Sequence, residues 1–236
     1  MHNDNENYPG RIKQLQEFNL MIAHNLRGGI HNIKQLTEML IDKKISKNQL
    51  KKESLAISEG LQYIYDSSTA LLDSLALLME VTNIHLSEKK FDQCDIGAIT
   101  SKIIDQLHLI VVQRMAEVEL NLELTHISYP CAYIESILYN LISNALKYAK
   151  EGVPAKITIS TYRKDNKNYL QVKDNGIGID LAKYGSKVFK LNATFHKGYE
   201  SKGIGLYLTK TQIESLGGSI SVTSEVGKGS EFTVVF

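Results

Sequence analysis

Residues 133–149, YIESILYNLISNALKYA, decide how the second half of this chain is read. The stretch reads as part of a helix, Ala132–Lys150, that carries Asn140, Asn144, Lys147 and Tyr148 at helical spacing. Asn140 and Asn144 are i,i+4 neighbours, and Lys147 follows one turn later. Two carboxamides and an ammonium on one face suit a metal-bound triphosphate, because Mg²⁺ prefers hard oxygen ligands and keeps several waters. A solvated polar face explains the same stretch equally well.

Outward from this helix the pattern is α/β. FDQCDI reads as a short strand entering a helix, Gly97–Met115, and Val118–Leu124 alternates like a strand. Ala155–Arg163 and Tyr169–Lys173 are strands flanking the polar turn KDNKN. A glycine-rich, irregular stretch runs from Asn175 to Lys202, a helix follows at Gly203–Leu216, and two strands, Ser219–Glu225 and Ser230–Phe236, close the chain around VGKG. The expected domain, residues 89–236, is a mixed sheet with helices on one face.

Within it, VKDNGIGID ends a strand with a carboxylate and a glycine-bearing turn. Asp174 can accept a hydrogen bond from an amino group, and Gly176 and Gly178 let backbone approach a ring closely. An ordinary turn reads the same way, since DNG is a common turn signal. SKGIGLYLTK opens a helix with Gly203 and Gly205, where unpaired amides attract phosphate. Between them, the loop with Phe189, Lys190, Phe195 and Lys197 is too long for a mere connection and reads as a lid.

The first half follows other rules. Residues 11–88 hold no proline, and two apolar-periodic stretches, Ile12–Ile41 and Leu50–Leu86, flank the polar break DKKISKNQ. The second steps through Ile57, Leu61, Ile64, Ser68, Leu71, Leu75 and Leu78, alternating fours and threes as a coiled-coil seam does, with one polar layer at Ser68. Two long helices make a hairpin, residues 1–88, and two hairpins bury their stripes as a dimeric four-helix bundle. In the first helix, Phe18, Ile22, Leu26, Ile33, Leu36 and Leu40 share a sector, and His24 lies roughly 170° from its centre, facing solvent.

The totals exclude several classes. The chain has 236 residues, 43% of them hydrophobic, with three prolines, so it is globular. A net charge of +1 with interspersed signs argues against nucleic acid or a polybasic membrane surface. No apolar run reaches the length a membrane helix needs. The polar start, MHNDNENYPGR, reads as a cut through a longer protein. Cys94 and Cys131 match no metal or redox spacing and read as two reduced thiols in a cytoplasmic protein.

In their order and spacing, these stretches resemble the sensor histidine kinases of two-component systems. NLISNALKYA is similar to that family's N box, DNGIGID and KGIGLYLTK to its two glycine boxes, VFKLNATF to its phenylalanine box, and AHNLRGGI to its phosphoacceptor box. The resemblance covers residues 11–236. It implies a dimerisation and phosphotransfer hairpin followed by a GHKL-type ATP-binding α/β sandwich. His24 would be the phosphoacceptor, with Asn25 and Arg27 beside it in the catalytic box. Asn144 would be the principal Mg²⁺ ligand, and Asp174 would anchor adenine. Lys147 and Tyr148 would contact phosphate and ribose. Asn140, Gly176, Gly178, Phe189, Lys202, Gly203, Gly205 and Leu206 would complete the ATP site. The implied partners are a second copy of the chain, a response-regulator receiver domain, and a sensor domain absent from these residues.

The chain departs from that pattern in its phosphoacceptor box and lid. Asn25 stands where the family carries an acid, and Gly29 where it carries a proline. Asn25 orients the ring but is no base near neutral pH. Gly28 offers no side chain to position water, so hydrolysis of a phosphorylated partner is expected to be weaker than transfer. In the lid, Asn192, Ala193 and Thr194 replace an aromatic and a basic residue, leaving Lys190, Lys197 or Lys202 to supply charge. The alternatives are a GHKL-class ATPase, disfavoured because Asn140 replaces its Glu, and a degenerate ATP-binding scaffold.

Overall fold

The computed structural model describes residues 89–193, 195 and 203–236, together with residues 28, 30, 31, 33, 34, 61–69, 71, 75, 79, 81, 82 and 84. His24, Asn25, Arg27, Gly29, the break DKKISKNQ, Thr194, Lys197 and Lys202 lie outside the described residues. The chain divides into two units, Met1–Asn83 and Ile84–Phe236.

In the first unit, residues 61–69 are helical, as are Gly28, Ile30, His31, Ile33 and Lys34. Ser68 Oγ donates to Ile64 O at 2.7 Å, so this polar position of the seam satisfies itself on its own helix. Leu61 and Leu75, two apolar seam positions, are 56% and 43% exposed.

The second unit begins with strand β1 (Asp92–Asp95), which runs straight into helix α1 (Ile96–Gln106). Asp95 makes the junction: extended at φ −73° and ψ 107°, it accepts from the Ala98 amide at 2.9 Å and caps the helix. The single helix expected over Gly97–Met115 is two. The backbone at Leu107 leaves helical geometry, and α2 (His108–Gln113) follows. Strand β2 (Glu117–Leu122) leads to β3 (His126–Tyr129), which is too short for its alternation to mark it in the sequence. β3 pairs antiparallel with β1 as a separate two-stranded sheet.

Helix α3 (Cys131–Lys147) carries the polar residues quoted first. Its buried side chains, Ile134, Ile137, Leu138, Leu141, Ile142, Ala145 and Leu146, recur at three- and four-residue steps and form one face. β4 (Lys156–Lys164) and β5 (Lys167–Asp174) form a hairpin whose turn residues, Asp165 and Asn166, both take positive φ. That is the turn geometry matching strand twist, and Asp and Asn tolerate it. A four-residue helix, α4 (Leu181–Tyr184), and α5 (Gly205–Glu214) precede the closing hairpin of β6 (Ser219–Glu225) and β7 (Gly229–Val235).

The main sheet has the order β2-β4-β5-β7-β6, with β2 parallel to β4 and the other pairs antiparallel. Ile157 and Ile159 of β4, Leu170 and Val172 of β5, and Phe232 and Val234 of β7 point to one face and join the buried side of α3 in a single core. Alternate residues such as Tyr162 and Tyr169, stacked at 4.8 Å, lie on the other face. The expected mixed sheet with helices on one face is what forms.

A further expectation is overturned. Cys94 and Cys131 are not free thiols; they form a disulfide. Their separation of 37 residues in sequence disappears when β1 pairs with β3, because β3 ends just before α3 and brings the two Cα atoms to 5.4 Å. Aromatic rings surround the link: Phe91 meets Tyr129 edge-on at 6.0 Å, and Tyr129 lies 4.6 Å from Phe236.

Closing a loop of this length removes enough freedom from the unfolded chain to contribute about 3–4 kcal/mol. The double substitution Cys94→Ala and Cys131→Ala is expected to lower the melting temperature of this unit by about 10 °C, read by circular dichroism. A melt unmoved by the double substitution would show that the link adds no stability.

Candidate functional site: a cavity between α3 and α5

A row of polar groups runs along α3 at four-residue spacing: Ser136, Asn140 and Asn144. The first two are committed to α5. Gln212 Nε2 donates to Ser136 Oγ at 3.1 Å. Asn140 Nδ2 donates to Gly205 O at 3.1 Å and to Thr209 Oγ1 at 3.2 Å. Thr209 is fully buried, so its hydroxyl depends on this partner. A Cβ at Gly205 would collide with the Asn140 carboxamide, which is why the second glycine of GIG has no side chain. Asn144 makes no hydrogen bond through its side chain to any described residue, and it lines a cavity.

That cavity has a volume of about 680 Å³. Asn140, Asn144, Lys147 and Tyr148 line it from α3, Asp174 from the end of β5, and Gly203, Gly205 and Leu206 from the start of α5. Ile179, Val188, Phe195 and Phe232 give it apolar walls. It therefore has the general composition of a small-molecule site, apolar with a few convergent polar groups.

The geometry at Asp174 is specific. Its Oδ1 accepts from the Gly176 amide at 2.8 Å and the Ser230 amide at 3.2 Å. Oδ2 has no hydrogen-bond partner among the described residues, so the carboxylate is held by one oxygen with the other left as an acceptor. Burial raises the Asp174 pKa above the ordinary carboxyl value, while the two amides and nearby Lys150 pull it down. The loop after it is pinned from several sides. Ile177 donates to Tyr148 O at 3.0 Å, Gly227 donates to Ile177 O at 2.8 Å, and the Ile179 amide donates to Ser224 Oγ at 2.7 Å. Gly178 takes φ +71° with Glu225 O against the position a Cβ would occupy.

Of the candidate residues, Asn140, Asn144, Lys147, Tyr148, Asp174, Gly178, Gly203, Gly205 and Leu206 converge on one cavity. Gly176 stands behind Asp174 and shapes it through its amide. Phe189 lies off the cavity wall, packed edge-on at 6.4 Å to Phe232. The apolar walls were missed in the sequence because Ile179, Val188 and Phe232 look like ordinary core residues. Ser230 had one signal, a polar residue on the buried side of an alternating strand. At the mouth, Asn192 at φ 59° donates its amide to Gly203 O at 3.1 Å, so the two ends of the loop expected to form a lid meet.

Among the described residues no group of three His, Cys, Asp or Glu side chains is placed to hold a metal ion. A cation here would instead need a neutral oxygen ligand and oxygens from the bound molecule. The half-buried carboxamide of Asn144, without a side-chain partner among the described residues, fits that need.

Residues 132–236 match the family described as histidine kinase-, DNA gyrase B-, and HSP90-like ATPase. Over 227 residues the chain is 28% identical to the sensor protein SrrB of Staphylococcus aureus; the match covers 93% of this chain and 37% of that protein. The chain thus spans just over a third of the length of the curated relatives it matches. Its fold is similar to that of the histidine kinase ThkA in complex with the response regulator protein TrrA, with TM-score 0.62 and 18% identity over 97% of this chain and 63% of that one. It is also similar to full-length ShkA in complex with AMPPNP, with TM-score 0.59 and 17% identity over 94% of this chain and 45% of that one. The second unit has the GHKL-type α/β fold, and the chain resembles sensor histidine kinases over nearly all its length.

The Asp174 carboxyl gives a prediction with a definite sign. A carboxyl whose folded pKa exceeds its unfolded value costs stability once the pH rises through that window, and the cost is complete above the folded pKa. Asp174→Asn keeps Oδ1 for both amides and removes the charge. Thermal melts should therefore show the variant at least as stable as wild type near neutral pH. The difference should shrink as the pH falls through the folded pKa and vanish at about pH 3 and below, where the wild-type carboxyl is protonated in both states.

Proposed function

We propose that this chain, whose second unit carries a histidine kinase-, DNA gyrase B- and HSP90-like ATPase domain, transfers the γ-phosphoryl group of ATP to its own His24 and then to an aspartate of a response-regulator receiver domain. The observation that carries this reading is the shared cavity. Asp174, with only one oxygen bonded among the described residues, Asn144, whose carboxamide has no partner among them, and the start of α5 line the same space.

In this reading Asp174 Oδ2 accepts a hydrogen bond from the adenine amino group, and Ile179, Val188 and Phe232 enclose the base. Lys147 and Tyr148 lie toward phosphate and ribose, and the amides at Gly203, Gly205 and Leu206 face the phosphates at a helix N-terminus. Asn144, with phosphate oxygens, would hold Mg²⁺, which neutralises charge on the transferring group when bound. A ring nitrogen of His24 attacks the γ-phosphorus, a P–N bond forms, the bond to the β-phosphate oxygen breaks, and ADP leaves. Asn25 holds the imidazole tautomer, and Arg27 lies beside it in the same box. Most of the rate comes from positioning, because the box has no acid to act as base.

Hydrolysis by the same fold would need a base one turn before Asn144. Asn140 stands there, and its amide is committed to Gly205 and Thr209. That favours transfer to a side chain over transfer to water. The exposed seam leucines, Leu61 and Leu75, favour a homodimer, since a lone chain leaves them in water. Among the described residues no helix is long and apolar enough to cross a membrane, and we place the two units in the cytoplasm.

The phosphoacceptor is tested by label from γ-labelled ATP. His24→Gln should abolish acid-labile, base-stable label, and His31→Gln should keep it. Label that survives in the first variant and disappears in the second reassigns the acceptor to His31.

The cation site is tested by nucleotide titration with and without Mg²⁺. Asn144→Ala should remove most of the gain in affinity that Mg²⁺ gives, with binding of metal-free nucleotide nearly unchanged. An undiminished Mg²⁺ effect would move the metal elsewhere.

A further inference from the structure

The disulfide sits at the start of the helix that builds the nucleotide cavity. Cys131 is the first residue of α3, and Asn140, Asn144 and Lys147 follow on the same helix. Cys94 belongs to β1, part of the small sheet that shares no strand with the main one. The first turn of α3 is preceded by Pro130, which provides no side-chain cap. The covalent link thus ties this uncapped helix end to β1, and it does so through a bond that can be broken chemically.

The surroundings connect the link to the chain that enters the unit. Tyr133, two residues beyond Cys131, donates its hydroxyl to Ile84 O at 3.4 Å, and Lys89 lies 5.2 Å from the centre of its ring. Tyr129, two residues before, holds Phe91. The entering segment, β1 and the first turn of α3 therefore meet at one corner.

The two sulfurs are also unequal. Cys94 is 1% exposed, whereas Cys131 is partly exposed and lies at the N-terminus of a 17-residue helix. Open amides and the helix dipole at that position stabilise a thiolate, making Cys131 the better nucleophile once reduced and a good leaving group from a mixed disulfide, while its access makes it the sulfur that is attacked.

We propose that Cys94 and Cys131 form a reversible redox site, and that its oxidised state holds α3 in the arrangement that binds nucleotide well. This rests on the nucleotide reading given above. A dithiol reductant of the thioredoxin class attacks the sulfur of the partly exposed Cys131; the Cys94–Cys131 bond breaks, and Cys94 leaves as a thiolate and takes a proton. The second thiol of the reductant gives up its proton and attacks the reductant sulfur of the mixed disulfide. Cys131 is released as a thiolate, and the reductant departs as its own disulfide with two electrons fewer. In reverse, the Cys131 thiolate attacks a disulfide-class oxidant, and Cys94 resolves the intermediate. Disulfides that persist in reducing compartments are commonly of this cycling kind.

The test uses the full chain in oxidised, dithiol-reduced and reoxidised forms. Thiols are counted by alkylation and mass, and affinity is measured with a fluorescent ATP analogue. Two thiols should appear under native conditions, affinity should fall roughly fivefold or more, at the low end of typical couplings, and reoxidation should restore it. The double variant Cys94→Ala with Cys131→Ala should show the weaker affinity in either buffer; reduced wild type gives the same comparison where that variant does not fold. A link that resists dithiol until the protein unfolds, or two thiols with unchanged affinity, overturns the proposal alone. Binding by neither form overturns the nucleotide reading and the proposal with it.

Discussion

Everything at the site depends on helix α3 presenting two incompatible faces at once. One face puts seven apolar side chains into the core and fixes the helix on the sheet. The other carries a polar stripe that would be costly to bury unpaired. Ser136 and Asn140 avoid that cost through α5, which supplies Gln212, Gly205 O and Thr209 in return. Where α5 begins, the described residues provide no further partner, and the next member of the stripe, Asn144, lines a cavity. The cavity is thus where a helix–helix seam ends, bounded below by the sheet's apolar face and closed at one side by the loop after β5.

Asp174 shows the same principle on the sheet. The carboxylate is buried at the end of β5, an unfavourable place for charge. Two backbone amides offset part of that on a single oxygen. They come from different parts of the chain, one from the turn just ahead and one from β7. The direction in which the acceptor points is therefore set by sheet pairing as much as by the local turn.

Much of this could be read from the residues alone. Long periodic elements were visible because their burial follows their period: α3, β4, β5 and the closing hairpin. The polar residues of the site were visible because polar side chains at helical spacing on an otherwise apolar helix are unusual. What remained hidden was non-local. Strand β3 is four residues long and gains its identity only by pairing with β1. That pairing alone brings Cys94 to Cys131, so spacing in sequence suggested two thiols and the fold made a bond. The break at Leu107 carries no glycine or proline to announce it. The apolar walls of the cavity are core-face residues of strand and loop, and nothing in their chemistry separates those that meet a ligand from those that meet one another.

The parallel edge of the sheet has a consequence for how the unit assembles. Strands β4 and β5 adjoin in sequence, as do β6 and β7, and each pair can zip from its own turn within microseconds. Strand β2 cannot. Its register, Glu117 opposite Lys156, spans β3 and all of α3, so it waits until that helix has found the sheet. On a ribosome, β1 and β3 can pair with each other as soon as β3 emerges, whereas β2, made before both β3 and α3, has no partner until β4 follows. For β2 the order of synthesis and the order of assembly run in opposite directions, leaving it exposed to other chains for longer than the hairpins that come after it.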